Sequence, residues 1–142
     1  MTSIQEKIVD ALNNKKFVAC VGLDVQKAFD LVDHQILFEK LENIGIRGQM
    51  LNFFISYYSN RRQYVRINGK TSSDYLIIPR SVLQGTILGV IGFLIFINDL
   101  PNATDLYVKL FADDTYLCAQ DTDLEALENY VNVELDKVFI CL

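Results

Sequence analysis

Apolar positions in this chain recur at helical spacing in some stretches and form short unbroken runs in others, and the two patterns interleave from end to end. Ser3-Ile4-Gln5-Glu6 has the form of a capping box, and Ile4, Ile8, Val9 and Leu12 follow at helical spacing, which predicts an amphipathic helix ending near Asn13-Asn14. Phe17 to Leu23 is an uninterrupted apolar run of strand length, the pattern of a strand buried on both faces, and Asp24 terminates it. Asp33 stands where it caps a helix that turns Ile36, Leu37 and Leu41 inward and closes at Gly45. From Arg47 to about Tyr58 a second helix places Met50, Leu51, Phe54, Ile55 and Tyr58 on one stripe, ended by Ser59-Asn60. Gln63 to Ile67 and Asp74 to Ile78 read as two strands joined by a loop that begins Asn68-Gly69 and is lengthened by Lys70-Thr71-Ser72-Ser73.

Pro79 breaks the second of these strands, and Arg80 to Thr86 forms a loop into the long apolar segment Ile87 to Ile97. From Ser81 to Asn98 there is no formal charge, and a membrane span is the alternative, but three glycines in that stretch, Gln84 and the closing Asn98-Asp99-Leu100-Pro101 favour a core helix beneath a sheet. Leu106 to Ala119 predicts a β-hairpin with Asp113 and Asp114 at its tip, because β-branched and aromatic residues flank a short Ala-Asp-Asp turn. Thr122-Asp123-Leu124-Glu125 is a second capping box, and Leu124, Leu127, Val131, Leu135 and Val138 give the last helix its stripe. The order α-β-α-α-β-β-α-β-β-α, with no internal repeat or Pro/Gly/Ser-rich linker, predicts one α+β domain over residues 1–142. Its helices pack on one face of a mostly antiparallel sheet. The chain stops at Leu142 with no closing loop, which reads as truncation.

Composition adds three constraints. Half of the 142 residues are apolar, enough for a sizeable core and unlike a disordered chain. Cys20, Cys118 and Cys141 are odd in number and lack metal-ligand spacing, and no signal peptide opens the chain, so an intracellular setting is expected, nucleus or cytoplasm undecided. The net charge of −5 opposes a grip on nucleic acid by this piece alone.

The candidate chemistry lies in carboxylates. Asp24 ends one apolar strand and Asp113-Asp114 sits at the turn of another strand pair; if these strands are neighbours, the acids converge at one edge of the sheet. Like charges so placed call for a counter-ion, and two Mg²⁺ ions would serve in-line phosphoryl transfer. A solvated turn also takes Asp readily, and a different Mg²⁺-dependent α/β protein with an acidic triad is a further reading. The latter fits less well, because regular β-α alternation is missing. His34, directly after Asp33, reads as a helix-start residue, Asp30 and Asp33 as turn and cap, and Asp99 as the stop of the long helix.

Four blocks in order give the chain a resemblance. Leu23-Asp24-Val25-Gln26-Lys27-Ala28-Phe29-Asp30 with Val32-Asp33-His34, then Tyr58-Ser59-Asn60-Arg61-Arg62-Gln63-Tyr64-Val65, then Val82-Leu83-Gln84-Gly85-Thr86-Ile87-Leu88-Gly89, and finally Phe96 to Pro101 leading to Phe111-Ala112-Asp113-Asp114, are similar to the conserved blocks of reverse transcriptases of the non-LTR, LINE-type retrotransposons. The resemblance spans about residues 17 to 139 and implies a polymerase palm with part of the fingers, the thumb and N-terminal fingers lying outside it. It implies Asp24, Asp113 and Asp114 as catalytic and metal-binding residues, with the Val25 carbonyl as a further contact, for two Mg²⁺ ions or for Mn²⁺. It implies Phe29 as the gate against a ribose 2′-OH, Gln84 and Gly85 against the incoming nucleotide, and Arg61, Arg62 and Arg66 on backbone phosphates; an ordinary solvated hairpin edge is the other reading of those arginines. The implied reaction transfers a deoxynucleotide to a primer 3′-OH on an RNA template, from a deoxynucleoside triphosphate, with other domains completing the enzyme. Leu83, Arg80, Ser81, Val90 and Phe139 depart from the family pattern, and the alternative is a catalytically inactive retrotransposon-derived remnant or a domesticated binding module.

Overall fold

The computed structural model describes residues 3–72, 76–77 and 80–141. In chain order the elements are α1 (Ile4–Asn13), β1 (Phe17–Asp24), a 3-10 turn (Ala28–Asp30), α2 (His34–Asn43), α3 (Gln49–Tyr58), β2 (Arg62–Gln63), β3 (Arg66–Ile67), β4 (Lys70–Thr71), β5 (Leu76–Ile77), α4 (Ile87–Ile97), a second 3-10 turn (Leu100–Asn102), β6 (Tyr107–Phe111), β7 (Asp114–Asp121) and α5 (Leu124–Cys141). Every described strand pairing is antiparallel, and the mixture of helices and antiparallel sheet is the expected α+β class. The chain divides into two compact units, residues 1–26 with 98–142, and residues 27–97.

The first unit is a three-stranded sheet in the order β1-β7-β6 with two helices. The capping box at Ser3 forms as expected: Ser3 Oγ accepts from the Glu6 amide at 3.2 Å and Glu6 Oε2 from the Ser3 amide at 2.6 Å. At α5 the cap is Asp123 rather than Thr122, because Asp123 Oδ1 accepts from the amides of Glu125 and Ala126 at 2.8 and 3.2 Å. Behind the sheet α5 packs against β1 and β7 and buries Leu127, Val131 and Val138, while Leu124 stays exposed. The sequence pattern of β1 implied burial on both faces; instead Phe17, Cys20, Gly22 and Asp24 are exposed, and no residue of the strand is fully buried. An apolar run does not distinguish a central strand from an outer one, and β1 lies at the end of this sheet, with β7 as its one strand partner among the described residues.

The second unit holds α2, α3 and α4 with two short two-stranded sheets. Leu37 and Leu41 of α2, Phe54 and Tyr58 of α3, and Phe93 and Ile97 of α4 form its buried core with Val82. Ile36 and Met50, expected inward, are exposed. Tyr58 donates its hydroxyl to the Leu88 carbonyl at 2.6 Å, and burial, helped by Tyr57, pushes its phenol up to about 12. Gly92 makes this contact possible, since a Cβ there would lie 2.4 Å from the Tyr58 oxygen. Only 11 residues long, α4 exposes Ile87, Val90, Ile91 and Leu94; no described helix is long and apolar enough to cross a membrane.

The arginine-bearing strands differ from expectation in pairing. Asn68 and Gly69, with φ of 49° and 79°, make a two-residue turn that closes β3 directly onto β4, and β2 pairs with β5. Two consecutive left-handed residues suit the tight hairpin, so the longer Lys70-to-Ser73 loop is unnecessary and Lys70 and Thr71 enter a strand. The second expected strand falls only at Leu76–Ile77 within the described residues; 73–75 and 78–79 lie outside them.

Candidate functional site

The expected acidic hairpin is present. β6 and β7 run antiparallel with Phe111 opposite Asp114, and Ala112-Asp113 is the connecting turn, Ala112 taking a left-handed φ of 53°. β1 lies on the other side of β7 with Asp24 opposite Asp114 and Leu23 opposite Thr115. Opposed residues of an antiparallel pair have Cα atoms about 4.5–5.5 Å apart, so Asp24 and Asp114 stand side by side at the sheet's edge, with Asp113 in the adjacent turn. All three acids are exposed.

Strand alternation then sorts the neighbours. Asp24, Gly22 and Cys20 share a face with Asp114, Tyr116 and Cys118 and with Phe111, Lys109 and Tyr107. This face is open at the acid end: Phe111 and Tyr116 are exposed, and the Tyr116 ring lies across Gly22, where a Cβ would sit 3.6 Å from it. The alternate residues of β7, Thr115 and Leu117, are buried, and the Thr115 hydroxyl has no hydrogen-bond partner among the described residues. A buried apolar row therefore anchors the strand that presents Asp114.

A second polar cluster holds the hairpin's base. Glu134 of α5 is buried yet accepts from the Thr104 hydroxyl and the Asp105 amide, both at 2.8 Å, and pairs with Lys137. Lys137 foremost, then the Asp105 amide and the Thr104 hydroxyl, hold its carboxyl down at about 2. This ties the segment entering β6 to α5. Glu134 was overlooked as a candidate; the available signal was an acid one turn from Val131 on the apolar stripe, with Lys137 three residues on.

Val25 directly follows β1 in the first unit. The other nucleotide candidates belong to the second. There Phe29 is half-buried with its ring stacked on Phe93, centroids 4.6 Å apart, and Gln84 and Gly85 form an exposed turn before α4, Gly85 with φ of 82°. Of the arginines, Arg61 is engaged: Nε donates to the Tyr57 carbonyl at 2.6 Å and the guanidinium lies 4.6 Å from the centre of the Tyr57 ring. Arg62 and Arg66 are exposed on β2 and β3. His34 begins α2 as expected and also has a structural tie, its buried ring donating Nε2–H to the Ser81 carbonyl at 2.7 Å. Beside it Arg80 pairs with Asp33 at 3.2 Å.

Chemically, Asp24 and Asp114 are hard oxygen donors suited to a divalent cation. Among the described residues no group of three or more His, Cys, Asp or Glu side chains is arranged to hold a metal ion. The site offers a carboxylate pair with a third acid in the neighbouring turn.

Comparison with known proteins extends this geometry. The family described as "Reverse transcriptase (RNA-dependent DNA polymerase)" matches residues 1–139. The chain is 28% identical over 136 residues to the RNA-directed DNA polymerase from mobile element jockey of Drosophila funebris, covering 87% of this chain and 15% of that protein. It is 31% identical over 102 residues to a probable RNA-directed DNA polymerase from transposon BS of Drosophila melanogaster, covering 69% of this chain and 11% of the relative. It is 28% identical over 118 residues to the Pol polyprotein from type-1 retrotransposable element R2 of Popillia japonica, covering 74% and 19%. The chain thus spans less than a fifth of the length of these curated relatives. With the acids at the ends of neighbouring strands and the match running through nearly every element, the chain belongs to the reverse transcriptase (RNA-dependent DNA polymerase) family.

Proposed function

We propose that these 142 residues are the palm portion, with part of the fingers, of an RNA-directed DNA polymerase that adds deoxynucleotides to a primer 3′-OH along an RNA template. The observation that carries this reading is the placement of Asp24 directly opposite Asp114, with Asp113 in the adjoining turn, in a chain of this family. In the reaction, the primer 3′-oxygen forms a bond to the α-phosphorus of a deoxynucleoside triphosphate and pyrophosphate leaves. Asp24, Asp113 and Asp114, with the Val25 carbonyl, would hold two Mg²⁺ ions or Mn²⁺ in their place. Such ions, when bound, stabilise the charge developing on the attacking and leaving oxygens.

This chain's own contribution is positional. Pairing of β1 with β7 sets the carboxylates side by side, and the buried Thr115 and Leu117 keep β7 from rotating them away. Gln84 and Gly85 would meet the incoming nucleotide, Phe29 would crowd a 2′-hydroxyl, and Arg61, Arg62 and Arg66 would lie along phosphates, Arg61 within the limits of its bond to Tyr57. The net charge of −5 leaves the grip on template and primer to basic surfaces supplied from outside these residues.

The test is titration of the purified chain with Mg²⁺ or Mn²⁺, followed by thermal melting, in wild type and in an Asp24→Asn, Asp113→Asn double variant. Metal-dependent stabilisation confined to the wild type is expected. Equal shifts in both proteins, or none in either, would overturn the metal-binding reading.

A further inference from the structure

We infer that Cys20 and Cys118 form a vicinal dithiol site, which a soluble disulfide converts to a cross-strand Cys20–Cys118 bond that pins the register of β1 against β7. The two residues are paired in the β1–β7 ladder and point to the same face of the sheet. Whether such a pair is of the hydrogen-bonded or the non-hydrogen-bonded kind, its Cα separation of about 5.5 or 4.5 Å falls inside the span of roughly 4.4–6.8 Å that a disulfide bridges. Both cysteines are free thiols, Cys20 exposed and Cys118 buried. That asymmetry assigns the roles: Cys20 meets a reagent first, and Cys118 resolves it.

Beside Cys118 lies a cavity of about 50 Å³, lined by Lys7, Ile8, Val18, Tyr107 and Gln120 among others. Burial, reinforced by the Cys20 side chain, pushes the Cys118 thiol up to about 12, while the ammonium of Lys7, held 4.3 Å from the centre of the Tyr107 ring, acts in the opposite direction. Closure of the bond is therefore the slower step and quickens as pH rises.

The chemistry balances with glutathione disulfide as oxidant. The Cys20 thiolate attacks one glutathione sulfur, a mixed disulfide forms on Cys20, and one glutathione thiolate leaves and takes up a proton. Cys118 then loses its proton to water, its sulfur attacks Cys20 Sγ, and the second glutathione leaves as thiol. Two protein thiols lose two electrons and two protons, and one disulfide becomes two thiols. The consequence for the site follows from the ladder: Cys20–Cys118 and Asp24–Asp114 are rungs of the same strand pair on the same face, so the covalent rung holds the carboxylates opposite one another.

The test uses the full chain carrying Cys141→Ser, incubated with oxidised glutathione from pH 7 to pH 9, then alkylated and mapped without reduction. The expected result is a Cys20–Cys118 linked peptide, formed faster at higher pH, with a raised melting temperature that dithiothreitol reverses. A Cys20–glutathione adduct as the stable end product would overturn the proposal, as would a link that forms only in urea or one that lowers the melting temperature. A Cys20→Ser variant, exposed and tolerant of the change, is expected to leave Cys118 unmodified in the folded chain; rapid glutathionylation of Cys118 there would contradict its role as the shielded resolving thiol.

Discussion

Replacing Asp24 by asparagine in the metal-free chain is expected to raise stability, because the substitution removes one of two like charges set opposite each other in the β1–β7 ladder. With charge centres ~5 Å apart in the high dielectric of an exposed site, the repulsion is ~0.8 kcal/mol. Screening reduces it to about 0.7 kcal/mol at ~0.01 M salt, about 0.4 kcal/mol at ~0.15 M and less than about 0.2 kcal/mol at ~1 M. For a chain of this length the low-salt gain corresponds to roughly 2–3 °C in melting temperature. The assay is thermal melting of wild type, Asp24→Asn, Asp114→Asn and the double variant at the three salt concentrations, after exhaustive chelation. Each single change should give the same gain, the double variant should gain no more from this pair than either single, and the gains should vanish at high salt. Losses of stability in the single variants, or gains that add and ignore salt, would refute the opposition of these charges. A divalent cation should invert the ranking, stabilising wild type above every variant.

Three further outcomes follow from the fold. Gly92→Ala should destabilise by about 1–2 kcal/mol, since overpacking against the Tyr58 oxygen and loss of its bond to Leu88 exceed the ~1 kcal/mol of helix propensity gained. Urea titration checks this, and in a Tyr58→Phe background the alanine should be tolerated much better. Thr115→Val should stabilise by about 1 kcal/mol, because the hydroxyl is buried without a partner; destabilisation in urea would reveal a bond to that oxygen. Glu134, held at about 2 against an ordinary 4.5, contributes stability that is complete above the ordinary value and is lost as pH falls from there toward 2. Melting profiles from pH 5 to pH 2 should therefore fall more steeply for wild type than for Glu134→Gln, and parallel profiles would contradict the assignment.

Much of the architecture was legible in local pattern. Capping residues and apolar spacing located four of the five described helices, and an unbroken apolar segment located α4, because those signals act within a few residues of one another. The Ala-Asp-Asp turn marked the acidic hairpin, and ordered motif blocks pointed to the family. Asp123 displaced Thr122 as the cap of α5 because two acceptable caps stood side by side and only backbone geometry chooses between them. The Asn68-Gly69 turn was recognised, yet its tightness and the pairing of Arg66–Ile67 with Lys70–Thr71 were missed, since strand partners are a property of chain path.

By itself the sequence determined where helices begin to within about two residues, where the acids fall near their strand ends and which family the blocks belong to, since each rests on the order and spacing of residues along the chain. Tertiary structure alone decided that Asp24 faces Asp114, that Cys20 faces Cys118, and that Glu134 is a buried anchor rather than a solvated charge. Those facts depend on register and burial between segments about ninety residues apart, or thirty for the Glu134–Thr104 bond, and no local periodicity encodes which rung meets which.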